Sequence, residues 1–281
     1  MVGDVTDDRR GGVTENPDPD VAAYVVGDIH GHLDELKDAL RAQGLIDDAD
    51  KWAGRDVELW FLGDFVDRGP DGIGVIDFVM GLHEQSDGSV HTLLGNHEIL
   101  LLGTHRFGEK QVPGESFTRS FAHSWAINGG MIADQDSLTD AHVEWLTSRP
   151  LLAHQDQHLL LHSDTLDYLD WGGTVAEINE TVAGILTGED LAAWWEVWLK
   201  MTTRYAFRGP TGIANAETLL HRLGGDRIVH GHSVISDQLG IHPTQLEGPY
   251  LYAGGKVLGV DGGLFVGGPC LVVPLPWVPE D

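Results

Sequence analysis

The stretch Gly63–Gly69, G-D-F-V-D-R-G, places two carboxylates and a guanidinium within seven residues. It follows the apolar run Leu59–Leu62, which predicts a buried strand, and it precedes the turn signal Pro70–Gly72 and a helical pattern. The charged groups are therefore expected at the C-terminal end of a strand, where open α/β sheets bind ligands. One carboxylate can bind metal, the other can orient a base, and the arginine can hold an oxyanion. The alternative is a charged turn with a local ion pair.

Two further segments repeat this strand–turn–helix pattern. The predicted strand Ala22–Val26 is followed by G-D-I-H-G at 27–31, and Val90–Leu94 is followed by G-N-H-E at 95–98. Glycine lets the backbone turn sharply and lets a ligand approach closely. Three such units in the first hundred residues predict an α/β sheet with one site along its carboxyl edge.

Two later predicted strands also end in histidine: Gln157–Leu161 precedes one histidine, and Arg227–His230 precedes a Gly-His pair. Each of these polar residues alone could be a hydrogen-bonded histidine, a helix cap or a turn residue. Together they form a set of oxygen and imidazole donors that suits manganese, iron or zinc. Six donors exceed one tetrahedral site and favour two metals, ~3.5–4 Å apart, that share a carboxylate and promote displacement at phosphorus. The donors are Asp28, His30, Asp64, Asn96, His162 and His232.

The three front motifs, in this order, resemble those of the calcineurin-like metallophosphoesterases, and their D-R-G and N-H-E forms resemble the phosphoprotein phosphatase branch. His162 and His232 match the last two histidine ligands of that family. The resemblance extends over residues 21–273. Departures such as Leu94 before the third motif and His32 after the first place the chain nearer to bacterial-type relatives.

The resemblance implies an α/β fold, specifically a four-layer α-β-β-α sandwich with two mixed sheets. It also implies two divalent metal ions, manganese in preference to iron or zinc, and attack by a metal-bridging hydroxide. The implied ligands are Asp28 and His30 for the first metal, Asp64 for both, and Asn96, His162 and His232 for the second.

Further roles follow from the same resemblance. Arg68 would hold phosphate oxygens, and His97 would be the general acid with Asp67 behind its imidazolium. This agrees with the need of a leaving alkoxide for a proton near neutral pH. A second phosphate-binding arginine is expected, and Arg208 is preferred to Arg204. Glu98 is interpreted as an anchor for its turn and not as a metal ligand.

The composition of the chain argues against some classes of binding partner. The 281 residues carry a formal net charge of −27 and have a pI of about 4.6, which argues against nucleic acid or an anionic membrane as a partner. An anionic substrate must therefore be attracted locally, by metal or arginine. The single cysteine, Cys270, allows no internal disulfide, and the sequence begins with no apolar segment, so a cytoplasmic location is expected. The oligomeric state is not indicated.

Residues 1–20 are polar and acidic and are expected to be a disordered tail, followed by a single metallophosphoesterase domain over 21–281. Segments 104–130 and 165–210 are possible lid or cap excursions. The second contains a tryptophan-rich helical pattern, interpreted as core packing, with Thr187 and Asp190 as a possible capping box. Strands predicted at 250–253, 257–260, 264–266 and 271–273 indicate a second sheet packed on the first.

Three functions are compatible with these residues. The preferred one is a phosphatase acting on phosphoserine or phosphothreonine in proteins. The alternative is hydrolysis of a small phosphorylated metabolite, including diadenosine polyphosphates, by the same metal pair. A scaffold that has lost catalysis ranks last, because no ligand and no general acid is missing. The 104–130 excursion bears on the first two, since a lid restricts a protein substrate and suits a nucleotide.

Overall fold

The computed structural model describes residues 21–114 and 119–279, so the prediction for residues 1–20 lies outside the described part. The strands there are β1 (Ala23–Val26), β2 (Glu58–Phe61), β3 (Val90–Thr92), β4 (Leu152–Gln155), β5 (His158–Leu161), β6 (Arg227–His230), β7 (Tyr250–Tyr252), β8 (Val257–Gly259) and β9 (Val272–Leu275). The helices are α1 (Leu33–Ala42), α2 (Gly72–Gln85), α3 (Asn96–Phe107), α4 (Phe121–Ile127), α5 (Ile132–Ser137), α6 (Asp140–Thr147), α7 (Val175–Thr187), α8 (Leu191–Met201), α9 (Gly212–Leu223) and α10 (Ile235–Leu239).

The described strands form two mixed sheets. The first has the order β3-β2-β1-β9, in which β1, β2 and β3 are parallel and β9 is antiparallel to β1. The second has the order β4-β5-β6-β8-β7, in which β5, β6 and β8 are parallel and the two edge strands are antiparallel. The predicted ligands follow the C-terminal ends of five of these parallel strands, namely β1, β2, β3, β5 and β6.

The sheets face each other across an apolar layer. Alternate residues of the strands point into it, including Val25, Leu62, Leu160 and Val229, all of them buried. The opposite faces are covered by helices, with α2 beside β3 on the first sheet and α7 and α9 beside β4 and β6 on the second. This arrangement confirms the predicted four-layer α-β-β-α sandwich.

The tryptophan-rich segment is core, as interpreted from its spacing. Trp194, Trp195 and Trp198 of α8 are all buried, and the first two have their rings against Phe121 of α4. The predicted capping box is wrong. Asp190 caps α8 by accepting hydrogen bonds from the first-turn amides, but Thr187 ends α7 and its hydroxyl donates back to Ala183 O.

The C-terminal segment differs from its prediction in two ways. Strand β9 leaves the second sheet and pairs with β1 in the first, so the chain's end ties the two sheets together. Residues Leu264–Val266 form a 3-10 turn instead of a strand, because Gly263 and Gly267 on either side adopt left-handed conformations. Within the described residues, no helix combines the length and apolarity needed to cross a bilayer.

Candidate metal centre

The strand-end turns are hydrogen-bonded to one another. The amides of Ile29 and His30 both donate to Asp64 O, at 3.0 and 2.9 Å. The amide of His97 donates to Asp64 Oδ1 at 3.0 Å, and the amide of His232 donates to Asp28 Oδ1 at 2.8 Å. Hydrogen bonds therefore link the turns after β1, β2, β3 and β6, and the side chains of Asp64 and Asp28 are each held by an amide of another turn.

These bonds bring the six sequence-predicted donors together. Side-chain ligand atoms within 4.8 Å of one another form two groups that share Asp64: one adds Asp28, His162 and His232, and the other adds His30 and His97. Asn96 joins the first group, with Oδ1 2.9 Å from His162 Nε2. The position of Asp64 in both groups is that required of a carboxylate shared by two ions.

Each imidazole has one nitrogen committed to a backbone carbonyl. His30 Nδ1 lies 2.8 Å from Val66 O, His162 Nδ1 lies 2.8 Å from Leu62 O, and His232 Nε2 lies 3.3 Å from Thr202 O. A carbonyl only accepts, so the bonded nitrogen carries the proton and the other nitrogen keeps its lone pair. Such carbonyl bonds fix the tautomer of metal-binding histidines.

Burial sets the charge of this cluster. It lowers the pKa of His30, His162 and His232, so the rings are neutral at physiological pH. Burial, together with the charges of Asp261 and Asp64, raises the pKa of Asp28. A bound cation would stabilise this buried cluster, because it would interact favourably with both the crowded carboxylates and the lone pairs of the neutral imidazoles.

One atom tests directly whether these residues fit a metal. His232 Nδ1 is buried and has no hydrogen-bond partner among the described residues. An unpaired buried acceptor is costly unless something else binds it, and an imidazole lone pair beside carboxylates is a metal ligand. The donor set and this atom together fit divalent ions.

The proposed general acid and its neighbours form a connected triad. His97 Nδ1 lies 2.7 Å from Asp67 Oδ2, which orients the ring. The Arg68 guanidinium places Nη1 2.9 Å from His30 Nε2 and Nη2 2.9 Å from His97 Nε2. Its fork is therefore aimed at the group of ligand atoms that contains His30 and His97.

The segment after α3 lies against this triad, as expected from its place in the chain. Trp125 Nε1 donates to Asp67 Oδ1 at 2.7 Å, and Gly129 O accepts from the Arg68 amide at 2.8 Å. Trp125 is thus bonded to the carboxylate behind His97.

Sequence reasoning did not find Phe265 and Asp261, which also belong to the site. The ring of Phe265 lies 4.2 Å from the Arg68 guanidinium and 5.1 Å from the His30 ring. Asp261 is buried, its Oδ2 has no partner among the described residues, and burial with the Asp64 charge raises its pKa to about 6. Both follow β8 in a glycine-rich loop, and the Asp-Gly-Gly at 261–263 was the available signal.

The two candidate arginines lie in different places. Arg204 Nη1 donates to His232 O at 2.7 Å and so lies at the cluster. Arg208 Nη2 donates to Gln238 O at 2.9 Å, and its guanidinium lies over the Tyr205 ring. No described contact of Arg208 reaches the candidate metal ligands. The geometry therefore favours Arg204 as the arginine beside the candidate metal site.

Glu98 anchors the turns, which confirms its interpretation as structural. Its carboxylate accepts from the amides of Asp64, Phe65 and Gly95 at 2.7–2.9 Å. Burial and the neighbouring Asp64 charge raise its pKa to about 8, against the lowering effect of those amides.

The backbone of the site is strained. Left-handed conformations are uncommon for residues other than glycine and cluster at functional sites. Five predicted site residues adopt positive φ: His30, Asp64, Asp67, Arg68 and His232. Close packing also explains a glycine, because a Cβ at Gly231 would lie 2.4 Å from Asp28 Oδ1.

The calcineurin-like phosphoesterase family model matches residues 23–236, and the chain belongs to this family. These enzymes hydrolyse phosphoric esters with a dinuclear divalent metal centre, for which the cluster supplies the candidate ligands.

Among curated relatives, a symmetrical bis(5'-nucleosyl)-tetraphosphatase of Vibrio parahaemolyticus is 28% identical, over 88% of this chain and 93% of that protein. Others with the same name are matched over about half of their length, from 43% to 55%. The Shewanella-like protein phosphatase 2 of Arabidopsis thaliana is 35% identical over 31% of this chain and 23% of its own. Among solved structures, a cold-active protein-tyrosine phosphatase of a Shewanella species has a TM-score of 0.66 at 21% identity, over 92% of this chain and 78% of that one, and shows the same fold.

Proposed function

We propose that this protein uses two divalent metal ions, preferably manganese, to hydrolyse dinucleoside tetraphosphates between the two central phosphates. The observation that carries the chemistry is the sharing of Asp64 by two groups of ligand atoms, each within 4.8 Å, beneath the fork of Arg68. The metals would be held by Asp28, His30, Asp64, Asn96, His162 and His232. When bound, such ions lower the pKa of water and neutralise charge on phosphoryl oxygens.

The chain's own side chains supply the remaining roles. Arg68 has two N–H groups directed at His30 Nε2 and His97 Nε2, and a phosphoryl group entering between them replaces the imidazoles as the acceptor. Arg204 supports the same charge from the His232 side. His97, held by Asp67, delivers a proton from Nε2 to the departing oxygen.

The substrate is argued from similarity and from shape. The relative matched over nearly its whole length carries the name of a symmetrical tetraphosphatase. The segment from Trp125 to Gly129 lies directly against Asp67 and Arg68, and a neighbour in this position would restrict a folded protein more than a small nucleotide. In the reaction, water loses a proton as it adds to one central phosphorus, and the bridging oxygen leaves with a nucleoside diphosphate and takes a proton from His97. The proton lost by water restores His97, so one water is consumed and two nucleoside diphosphates form.

A protein phosphatase remains the second candidate. The observation in its favour is the match to the Shewanella-like protein phosphatase 2 of Arabidopsis thaliana. Its sequence identity of 35% exceeds the 28% of the Vibrio tetraphosphatase, but the match covers only 31% of this chain. The same residues would then act on phosphoserine or phosphothreonine, whose alkoxide leaving group depends more strongly on His97.

The test is hydrolysis by protein stripped of metal and refilled with manganese, offered diadenosine tetraphosphate, a phosphoserine peptide and an aryl phosphate. We expect turnover of the dinucleotide to ADP alone, with a kcat/KM at least about 100-fold above that for the peptide. Asp64→Asn should remove turnover of all three substrates.

The control is His91→Asn, which changes a half-buried histidine that bonds to Glu58 away from the site. It should leave all three rates unchanged. Release of ATP and AMP would contradict symmetrical cleavage, and preference for the peptide would establish the second candidate. Failure to bind two metals would overturn the proposal altogether.

A further inference from the structure

We propose that a cavity beside the metal centre, lined by Phe207, Arg208, Tyr250 and Tyr252, binds a nucleobase of the substrate. This inference rests on the proposed function and extends it from the phosphates to the nucleoside. The cavity has a volume of about 380 Å³, within the usual range for small-molecule sites. It also gives a role to Arg208, which does not contact the ligand cluster.

The sheet register places one wall residue of the cavity, Tyr250, level with the strand ends that precede the candidate metal ligands, whereas Tyr252 pairs with Val257 at the other end of β8. Leu161, His230, Gly259 and Tyr250 stand opposite one another across β5, β6, β8 and β7. The ligands His162 and His232 follow directly after this row. Because neighbouring strands are about 4.8 Å apart, Tyr250 lies roughly 10 Å along the edge from β6.

The wall of the cavity is an aromatic surface. Tyr250 and Tyr252 project from the same face of β7, and their rings are stacked, with centroids 5.1 Å apart and planes within 7°. The Tyr252 hydroxyl donates to His230 Nε2 at 2.8 Å, which fixes that ring. Both rings remain partly exposed. A fixed and accessible π-face is a platform on which any base can stack.

Two arginines connect this platform to the metals. Arg204 is bonded to His232 O, and Arg208 lies four residues later, where its bond to Gln238 O holds it at the cavity. Four residues extend at most about 14 Å, so the cations follow one short path from cluster to cavity. Tyr205 N, between them, donates to Asp164 Oδ2 at 2.9 Å and fixes the segment.

This arrangement matches a nucleotide better than a peptide. The protein carries a net charge of −27, yet Arg204 lies at the candidate phosphate-cleaving site and Arg208 lies at the aromatic platform. A nucleoside with an extended phosphate chain has its anionic part and its base in that order. The base would therefore belong to one of the two nucleoside diphosphates that are released.

The test measures binding as well as rate, using the full-length protein loaded with manganese. The ligand is a methylene-bridged diadenosine tetraphosphate that is not hydrolysed, titrated by calorimetry. We expect Tyr250→Ala to weaken binding roughly 10-fold, from the loss of base stacking, and Tyr250→Phe to bind like wild type. Trp277→Ala, which removes an aromatic ring from a different cavity, should have no effect.

Two further variants test the same cavity in case Tyr250→Ala does not fold. Ile213 is 48% exposed and lines the same cavity, so Ile213→Glu adds a repelling charge without touching the core, and it should also weaken binding. Arg208→Gln should weaken binding of ADP several-fold and leave that of adenosine unchanged.

The outcomes separate the two proposals. If wild type binds and hydrolyses the dinucleotide but the Tyr250→Ala and Ile213→Glu variants match it, the nucleobase site is wrong and the proposed function stands. If wild type neither binds nor hydrolyses it, both are wrong. An equal loss by Tyr250→Ala on a phosphopeptide would show that the cavity binds peptide side chains, which overturns the nucleobase assignment.

Discussion

His97 lies between a carboxylate and a guanidinium, and this environment defines what it can do. Asp67 fixes the proton on Nδ1, so Nε2 is the nitrogen that exchanges protons with substrate. Arg68 approaches that same Nε2 at 2.9 Å, so the proposed phosphate-binding group and the proposed proton donor lie next to each other.

Replacing His97 should therefore have an effect that depends on the leaving group. We expect His97→Asn to lower kcat by about 100- to 1,000-fold on a phosphoserine peptide, whose alkoxide needs a proton. The loss should be about 10-fold or less on nitrophenyl phosphate, whose leaving group is already stable. Equal losses on the two substrates would mean that His97 binds metal or substrate instead of donating a proton, an alternative that its place in the second ligand group keeps open.

Phe265 lies against Arg68, the proposed phosphate-binding arginine. The face of its ring lies 4.2 Å from the Arg68 guanidinium, a cation–π contact that limits where the fork can point. We expect Phe265→Leu to raise KM about 5-fold and the inhibition constant of inorganic phosphate by a similar factor, with kcat within about 2-fold. The neighbouring Val266→Ala, at an exposed position, is the control. A fall in kcat with unchanged KM would contradict this role.

At the scale of elements, the site depends on a helix that contributes none of the candidate ligands. Helix α4 carries Trp125, whose indole N–H is bonded to Asp67 Oδ1, and the residues after α4 hold the backbone of Arg68. The 104–130 excursion thus orients Asp67 and Arg68, besides any contact that it makes with substrate.

Trp125→Phe tests this connection. The change keeps an aromatic ring and removes one donor, which leaves a buried carboxylate oxygen without its partner at a cost of about 1–3 kcal/mol. We expect kcat to fall roughly 10-fold with little change in metal affinity. The matched control is Trp198→Phe on α8, because the buried Trp198 Nε1 has no hydrogen-bond partner among the described residues. Equal effects of the two substitutions would point to general loss of packing.

The elements also show which parts of the site a sequence can predict. Asp28, Asp64 and Asn96 were found because the signal is local: an apolar strand, a glycine and a polar residue at each strand end. Phe265 enters through a loop and Trp125 through helix α4, and both approaches depend on packing over long sequence distances, which no local pattern carries. Arg204 was a sequence candidate, but only the fold shows that it lies at the cluster. The return of β9 to the first sheet was missed for the same reason, since alternation predicts a strand but not its partner.

At the scale of the whole molecule, the buried imidazoles make the metal-free protein sensitive to acid. The folded pKa of His30, His162 and His232 lies below the unfolded value of about 6.5, so the unfolded chain binds protons first as the pH falls. The stability they contribute is complete above pH 6.5 and is lost below it. The raised pKa values of Asp28, Asp261 and Glu98 act in the opposite direction.

A single variant isolates the histidine contribution. Without metal, the free energy of unfolding of His232→Asn should fall less steeply than that of wild type between pH 6.5 and 5. The difference in slope should be up to about 1.4 kcal/mol per pH unit, the value for one proton. Urea unfolding in the presence of a chelator at several pH values measures it. Parallel curves would show that His232 titrates normally in the folded state.

The hydrogen bond from His232 N to Asp28 Oδ1 joins residues 204 positions apart. During synthesis on the ribosome, the first candidate ligands emerge long before the last. Asp28 therefore has no hydrogen-bond partner at this position until His232 has been added. A nascent chain stopped before residue 232 would contain the carboxylates and the early histidines, but it would lack the amide hydrogen bond that orders Asp28. Assembly of the candidate metal site is therefore expected only after residue 232 has been synthesised and has left the ribosome.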